Sequence, residues 1–199
     1  MAGTAEVVTS LDKLPGVTYQ VLVPNEKGLD NVLSLLASHP AKPPIDEIAV
    51  FTAATDAFSL ANTNVTVADS LKRLTRVVQG ALDKGIRVRG YVSVVITCPY
   101  SGRVDYKSVR EVTKELLDMG CYEVSLGDTT GTGNPTSVSE MLDITLGASP
   151  AEKLAGHVCM ILASQSIMTS KRVFFTVSRY FWHGRCKFHD RTVCGYSHS

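Results

Sequence analysis

Apolar positions fall in short runs that alternate with stretches of helical spacing. Tyr19-Gln20-Val21-Leu22-Val23-Pro24 reads as a strand stopped by proline. Leu29, Val32, Leu33 and Leu36 then recur on one face, predicting a helix over about 27–38. A Pro-rich link, 39–44, leads into Glu47-Ile48-Ala49-Val50-Phe51-Thr52-Ala53-Ala54, a strand apolar enough to be buried on both faces. Thr66 is placed to cap the next helix with Asp69 three residues on. Leu71, Leu74, Val78 and Leu82 line its inner side, and Gly85 ends it. Residues 86–96 read as a third strand, and 107–119 as a helix with Val109, Val112 and Leu116 inward, stopped by Gly120. Tyr122-Glu123-Val124-Ser125-Leu126-Gly127-Asp128 is a fourth strand, and Ser137-Val138-Ser139-Glu140 reads as a capping box for a helix ending near Gly147. Lys153-Leu154-Ala155-Gly156-His157 begins a fifth strand.

Strand and helix therefore alternate in units of roughly 30–40 residues, the spacing that parallel crossovers need, and the class is α/β. Periodicity leaves an open doubly wound sheet and a closed barrel both possible. The first strand lacks a Gly-x-Gly-x-x-Gly fingerprint after it, which disfavours a dinucleotide fold.

After His157 the pattern dissolves. Val158-Cys159-Met160-Ile161-Leu162 can complete a strand, while Val173-Phe174-Phe175-Thr176-Val177 is a short apolar run without an evident partner. Charge shifts at the same point. The chain carries a net +1, yet Lys171, Arg172, Arg179, Arg185, Lys187 and Arg191 stand against Asp190 alone in 158–199. We therefore expect two units: an α/β domain over 1–157 and a divergent basic tail over 158–199. Tail residues His183, Cys186, His189, Cys194 and His198 match no zinc-module spacing. No run approaches the roughly 18 apolar residues of a membrane span. The start, Met1-Ala2-Gly3-Thr4-Ala5-Glu6, has neither a secretory nor an Arg-rich transit pattern. Five cysteines without a signal read as reduced thiols. Neither nucleic acid nor membrane is expected as a partner.

Chemistry concentrates where strands meet loops. Asp128 and Thr129 stand at the carboxyl end of the fourth strand, before Gly131, Gly133 and a helix; in parallel α/β folds that rim carries sites. The alternative is a turn cap. Arg89 and Tyr91 are two apart, so they share a strand face. An Arg there needs an anionic partner, from a substrate or from Glu123 or Asp128. Cys98-Pro99-Tyr100 presents either a thiol or a small core residue. Asn62 and Asn64 follow the second strand, as ligand contacts or as turn formers.

Four segments together resemble the hydroxymethylglutaryl-CoA lyase family, over about residues 10–157. They are Leu14-Pro15-Gly16-Val17-Thr18-Tyr19-Gln20-Val21-Leu22-Val23-Pro24-Asn25, Val88-Arg89-Gly90-Tyr91-Val92-Ser93, Cys98-Pro99-Tyr100, and the run from Met119 to Thr129. The resemblance implies an incomplete (β/α)8 barrel, about strands 3 to 7 of eight, followed by an irregular tail. It implies metal-dependent cleavage of 3-hydroxy-3-methylglutaryl-CoA to acetyl-CoA and acetoacetate, with Mg²⁺ or Mn²⁺ as Lewis acid and template. It casts Asp128 as catalytic acid, Arg89, Tyr91, Asn62, Asn64 and Thr129 as substrate contacts, and His157 as a metal ligand. It implies a mitochondrial location, with cytoplasmic or peroxisomal alternatives.

The chain also departs from the family pattern. The Arg-Asp pair of the family's first strand is absent, as is its Gly-x-Gly-Gly-Cys-Pro loop. Cys159 stands where the second metal His belongs, so His157 alone remains of four ligands. Codons that can encode Met160-Ile161-Leu162 would, preceded by C and shifted in frame, read as the family's His-Asp-Thr, so we expect 158–199 to derive from an altered reading frame or a mis-spliced gene model. The expected behaviour is a lyase by descent with little or no turnover. The alternatives are a fragment that only binds CoA esters or a subunit, and a homocitrate- or isopropylmalate-synthase-type enzyme. Open barrel edges point to self-association or aggregation.

Overall fold

The computed structural model describes residues 3–158 and 174–177. Its framework is one parallel sheet of six strands: β1 (Gln20–Leu22), β2 (Glu47–Ala53), β3 (Arg87–Ser93), β6 (Glu123–Gly127), β7 (Leu154–Val158) and β8 (Phe174–Val177). They lie side by side in chain order, β1-β2-β3-β6-β7-β8. A doubly wound sheet reverses its order at a switch point. This one never does, so every crossover advances in the same sense, as in a (β/α)8 barrel. Among the described residues the sheet is not closed.

Helices α1 (Thr4–Ser10), α2 (Glu26–Ser38), α3 (Asp56–Thr63), α4 (Val67–Leu82), α5 (Tyr106–Asp118) and α6 (Pro135–Leu146) punctuate the strands. The core lies between α2, α4, α5, α6 and one face of the sheet. Ile48, Val50, Val88, Val92, Val124 and Leu126 meet Leu74, Val77, Val78, Val109, Leu116, Met141 and Leu142 there. Burying each such side chain stabilises the fold by about 1.5–3 kcal/mol relative to exposure.

Most elements fall where the hydrophobic pattern places them, and the differences have local causes. Asn62 lies inside α3, a helix not foreseen, and Asn64 is its C-cap in the left-handed region (φ 57°), a conformation Asn tolerates. Thr55 starts that helix by accepting the Phe58 N–H. The box at the start of α6 uses Asn134 and Ser137 with Pro135 between, rather than Ser137 and Glu140. The third strand ends at Ser93 because Val94 turns left-handed, and a hairpin follows, β4 (Thr97–Cys98) with β5 (Gly102–Arg103). The run without an evident partner has one: β8 pairs in parallel with β7, Ala155 opposite Phe174 and Val158 opposite Val177. The tail's His/Cys constellation and the reading-frame expectation lie outside the described residues.

Candidate functional site

Side chains of odd parity on β2, β3 and β6 face away from the helices and form layers across the sheet's open face. Register pairs Glu47 with Arg87, Ala49 with Arg89, Arg89 with Glu123, Phe51 with Tyr91, Tyr91 with Ser125, Ser125 with Ala155, and Gly127 with His157. Charge concentrates at the amino-terminal mouth. The buried Glu47 carboxylate accepts from the Gln20 amide (2.8 Å), the Tyr122 hydroxyl (3.0 Å) and the Arg87 guanidinium (3.1 Å). Burial, then the bond to Glu47, pushes the Tyr122 phenol up to about 12.

Arg89 lies one layer further in. It pairs with Glu123 at 2.5 Å, and its guanidinium sits 5.4 Å from the centroid of the Tyr91 ring. Glu123 is the internal partner that the sequence leaves open beside a substrate. The Arg89 Nε is buried without a hydrogen-bond partner. Tyr91 donates its hydroxyl to Gln20 (2.9 Å), and burial raises its pKa, followed by Glu47 and Glu123 against the opposing Arg89. Arg89 and Tyr91 thus share a face, as their spacing requires, with Arg89 towards the mouth and Tyr91 at mid-sheet, its hydroxyl reaching Gln20 on β1.

The rim is built differently. Asp128 is 6 % exposed, and both of its carboxylate oxygens turn into their own loop. One accepts from Gly133 N–H (2.8 Å), the other from Thr132 N–H (3.3 Å). A Cβ at position 133 would stand 2.8 Å from that carboxylate, so glycine permits the close approach. Thr130 bonds Thr132, and Thr132 donates to Thr97 (2.9 Å), tying this loop to the hairpin. Thr129 accepts the Val94 N–H at 2.9 Å. Val94, fully buried and β-branched, holds φ 55°, a strain of about 1–3 kcal/mol. His157 is exposed at the end of β7, and its carbonyl accepts from Asp128 N–H (2.9 Å). Asp128, Thr129 and His157 are therefore brought to one rim, whereas Asn62 and Asn64 are exposed on α3 and its cap.

Cys98 belongs to β4 of the hairpin and is 1 % exposed. Burial alone would raise its thiol, but bonds from Ser101, Thr55 and the Tyr100 and Ser101 backbone outweigh it and bring the value to about 7. Cys121, buried without such donors, is pushed up to about 12.

A divalent ion of the Mg²⁺ or Mn²⁺ kind requires several hard ligands around one point. No group of three His, Cys, Asp or Glu side chains meets that need among the described residues. His157 stands alone and Asp128 is spent on its loop, so the described donor set does not fit the metal. Sequence reasoning passed over Glu47, Gln20 and Ser125. Glu47 and Ser125 share the open-face parity of Arg89 and Tyr91 and were findable once register was known.

Comparison with known proteins converges on one family. The sequence profile described as HMGL-like matches residues 18–156. A 3-hydroxy-3-isohexenylglutaryl-CoA/hydroxymethylglutaryl-CoA lyase of Pseudomonas aeruginosa is 45% identical over 157 residues, 79% of this chain and 50% of that protein. The mitochondrial hydroxymethylglutaryl-CoA lyase of Bos taurus is 43% identical over 157 residues, 79% of this chain and 46% of the relative. The crystal structure of the HMG-CoA lyase from Brucella melitensis superposes with a TM-score of 0.78 at 42% identity, covering 89% of this chain and 62% of its own. The chain spans about half the length of the curated relatives it matches.

Proposed function

The chain belongs to the HMGL-like family, and from that premise we propose that its open face is the substrate wall of a hydroxymethylglutaryl-CoA lyase. The carrying observation is the layer order. Tyr91 and Ser125 pair across adjacent strands, and Gly127 and His157 stand together at the carboxyl end. In this reading Tyr91 orients the acyl group through its hydroxyl. Arg89 acts from its pair with Glu123, and Asp128 and Thr129 hold the rim. His157 is the exposed imidazole, able to accept or return a proton at a ring nitrogen. The enolate released by carbon–carbon cleavage demands positive charge nearby. Both guanidiniums of the described open face, Arg87 and Arg89, are already paired with carboxylates. We derive no metal-mediated step, because the described donors do not form a metal site.

A second reading is supported by that donor set: the wall binds a CoA thioester or another subunit without turning substrate over. A coupled assay for acetoacetate from 3-hydroxy-3-methylglutaryl-CoA, with Mg²⁺ or Mn²⁺ added, separates the two. Turnover lost on Tyr91→Phe supports the lyase. Thioester binding by calorimetry without acetoacetate supports the binding fragment, and neither signal sinks both. Names of relatives include mitochondrial and cytoplasmic enzymes; we propose the mitochondrial location, checked by fractionation of the tagged full chain.

A further inference from the structure

Val94 is one of two non-glycine residues with positive φ among the described residues, and the two are unlike. Asn64 ends a helix, where a short amide side chain relieves the left-handed conformation. Val94 has no such relief, being buried and β-branched. Something around it must over-determine the backbone for the conformation to persist. Three backbone bonds cross the rim beside it: Ala54 N–H to Ser93 O at 3.0 Å, Val95 N–H to Gly127 O at 3.1 Å, and Asp128 N–H to His157 O at 2.9 Å. The left-handed turn takes the Val94 N–H out of this ladder. The group that receives it is a side chain, the Thr129 hydroxyl at 2.9 Å. That hydroxyl also reaches back to the Gly127 carbonyl at 3.5 Å. Gly127 lets the strands close up, since a Cβ there would stand 3.2 Å from the Val92 carbonyl.

We propose that Thr129 is a positioning residue: its hydroxyl latches the strained Val94 backbone and thereby sets the spacing between the Ser93 and Asp128 ends of the rim. This goes beyond the substrate-contact role that family resemblance implies, because the hydroxyl is already committed to Val94 N–H and Gly127 O. The consequence for substrate rests on the lyase-wall reading; the latch itself does not. The same turn sends the chain into the hairpin, whose Thr97 is tied to Thr130 and Thr132, so releasing Val94 loosens both attachments of that loop.

The test uses the full chain, ¹⁵N-labelled, with Thr129→Val and Thr129→Ser. Valine keeps the size and removes the acceptor. We expect the Val94 amide to exchange with solvent about tenfold faster in Thr129→Val, with shifts at Val95 and Gly127, and serine to restore both. The second variant is Val94→Gly, which enters the left-handed region without cost. On that background Thr129→Val should change stability less than half as much as it does in the parent. Unchanged Val94 exchange in Thr129→Val overturns the proposal, as does an equal stability loss on both backgrounds. A titration with acetyl-CoA, read at the Tyr91 and Ser125 amides, reports separately on the substrate wall, so the two ideas fail independently.

Discussion

The two ends of this sheet solve the same problem, polar groups in a crowded place, by opposite means. At the amino-terminal mouth, side chains satisfy side chains: Glu47 with Arg87, Tyr122 and Gln20, and Arg89 with Glu123. At the carboxyl rim, hydroxyls and loop amides do the work, and one valine backbone is held under strain. Self-contained ion pairs resist change and leave little for a ligand. At the rim the Gly133 and Thr132 amides are spent on Asp128, and the exposed His157 imidazole is a group left for a ligand to recruit. The contrast matches the division of parallel barrels, in which the amino end serves stability and the carboxyl end chemistry.

The comparison breaks most readily at Glu47. Glu47→Ala leaves the Tyr122 hydroxyl, the Gln20 amide and Arg87 without their common acceptor. We expect a loss of about 3 kcal/mol in denaturant unfolding, with His157 resonances unmoved. A comparable shift at His157 would show that the two ends are not independent.

Gly133→Ala probes the rim. The added methyl would meet the Asp128 carboxylate at 2.8 Å and Val138 at 3.3 Å. The expected cost is about 1–2 kcal/mol, and unlike Glu47→Ala it should move the amides of the 128–133 loop.

Glu123→Gln should cost about 1 kcal/mol, since both partners retain solvent contact and the pair is partly screened. If the open face binds a thioester, freeing Arg89 should tighten that binding at low salt. Unchanged affinity would leave Arg89 on the structural side of the comparison.

The smallest effect is read with pH. Cys98 has its thiol lowered from the ordinary 9.0 to about 7. A lowered acid favours the folded state fully above 9 and loses that contribution as pH falls through 7. The difference in thiolate absorbance between the chain and Cys98→Ser should show a midpoint near 7, raised in Thr55→Val. Tyr122 runs the other way. Its value is raised from 10.0 to about 12, so its contribution is complete below 10 and lost as pH climbs through 12.

The strands, the core-facing helix stripes and the parity that puts Arg89 beside Tyr91 were legible in the residues, because period 2 and period 3.6 are properties of local backbone geometry. So was the family, carried by the segment ending in Gly127-Asp128-Thr129. What only the tertiary structure decided depends on register between distant strands. Glu123, rather than Asp128, is the carboxylate that faces Arg89 across β3 and β6. Asp128 serves its own loop through Gly133. The apolar run Phe174–Val177 finds its partner in β7. None of these is local: each is fixed by which strand lies alongside which, and a shift of one residue would turn every paired side chain to the other face. Strand order settled the architecture for the same reason, since unbroken chain order separates a barrel-type winding from a doubly wound sheet and leaves no mark on local periodicity.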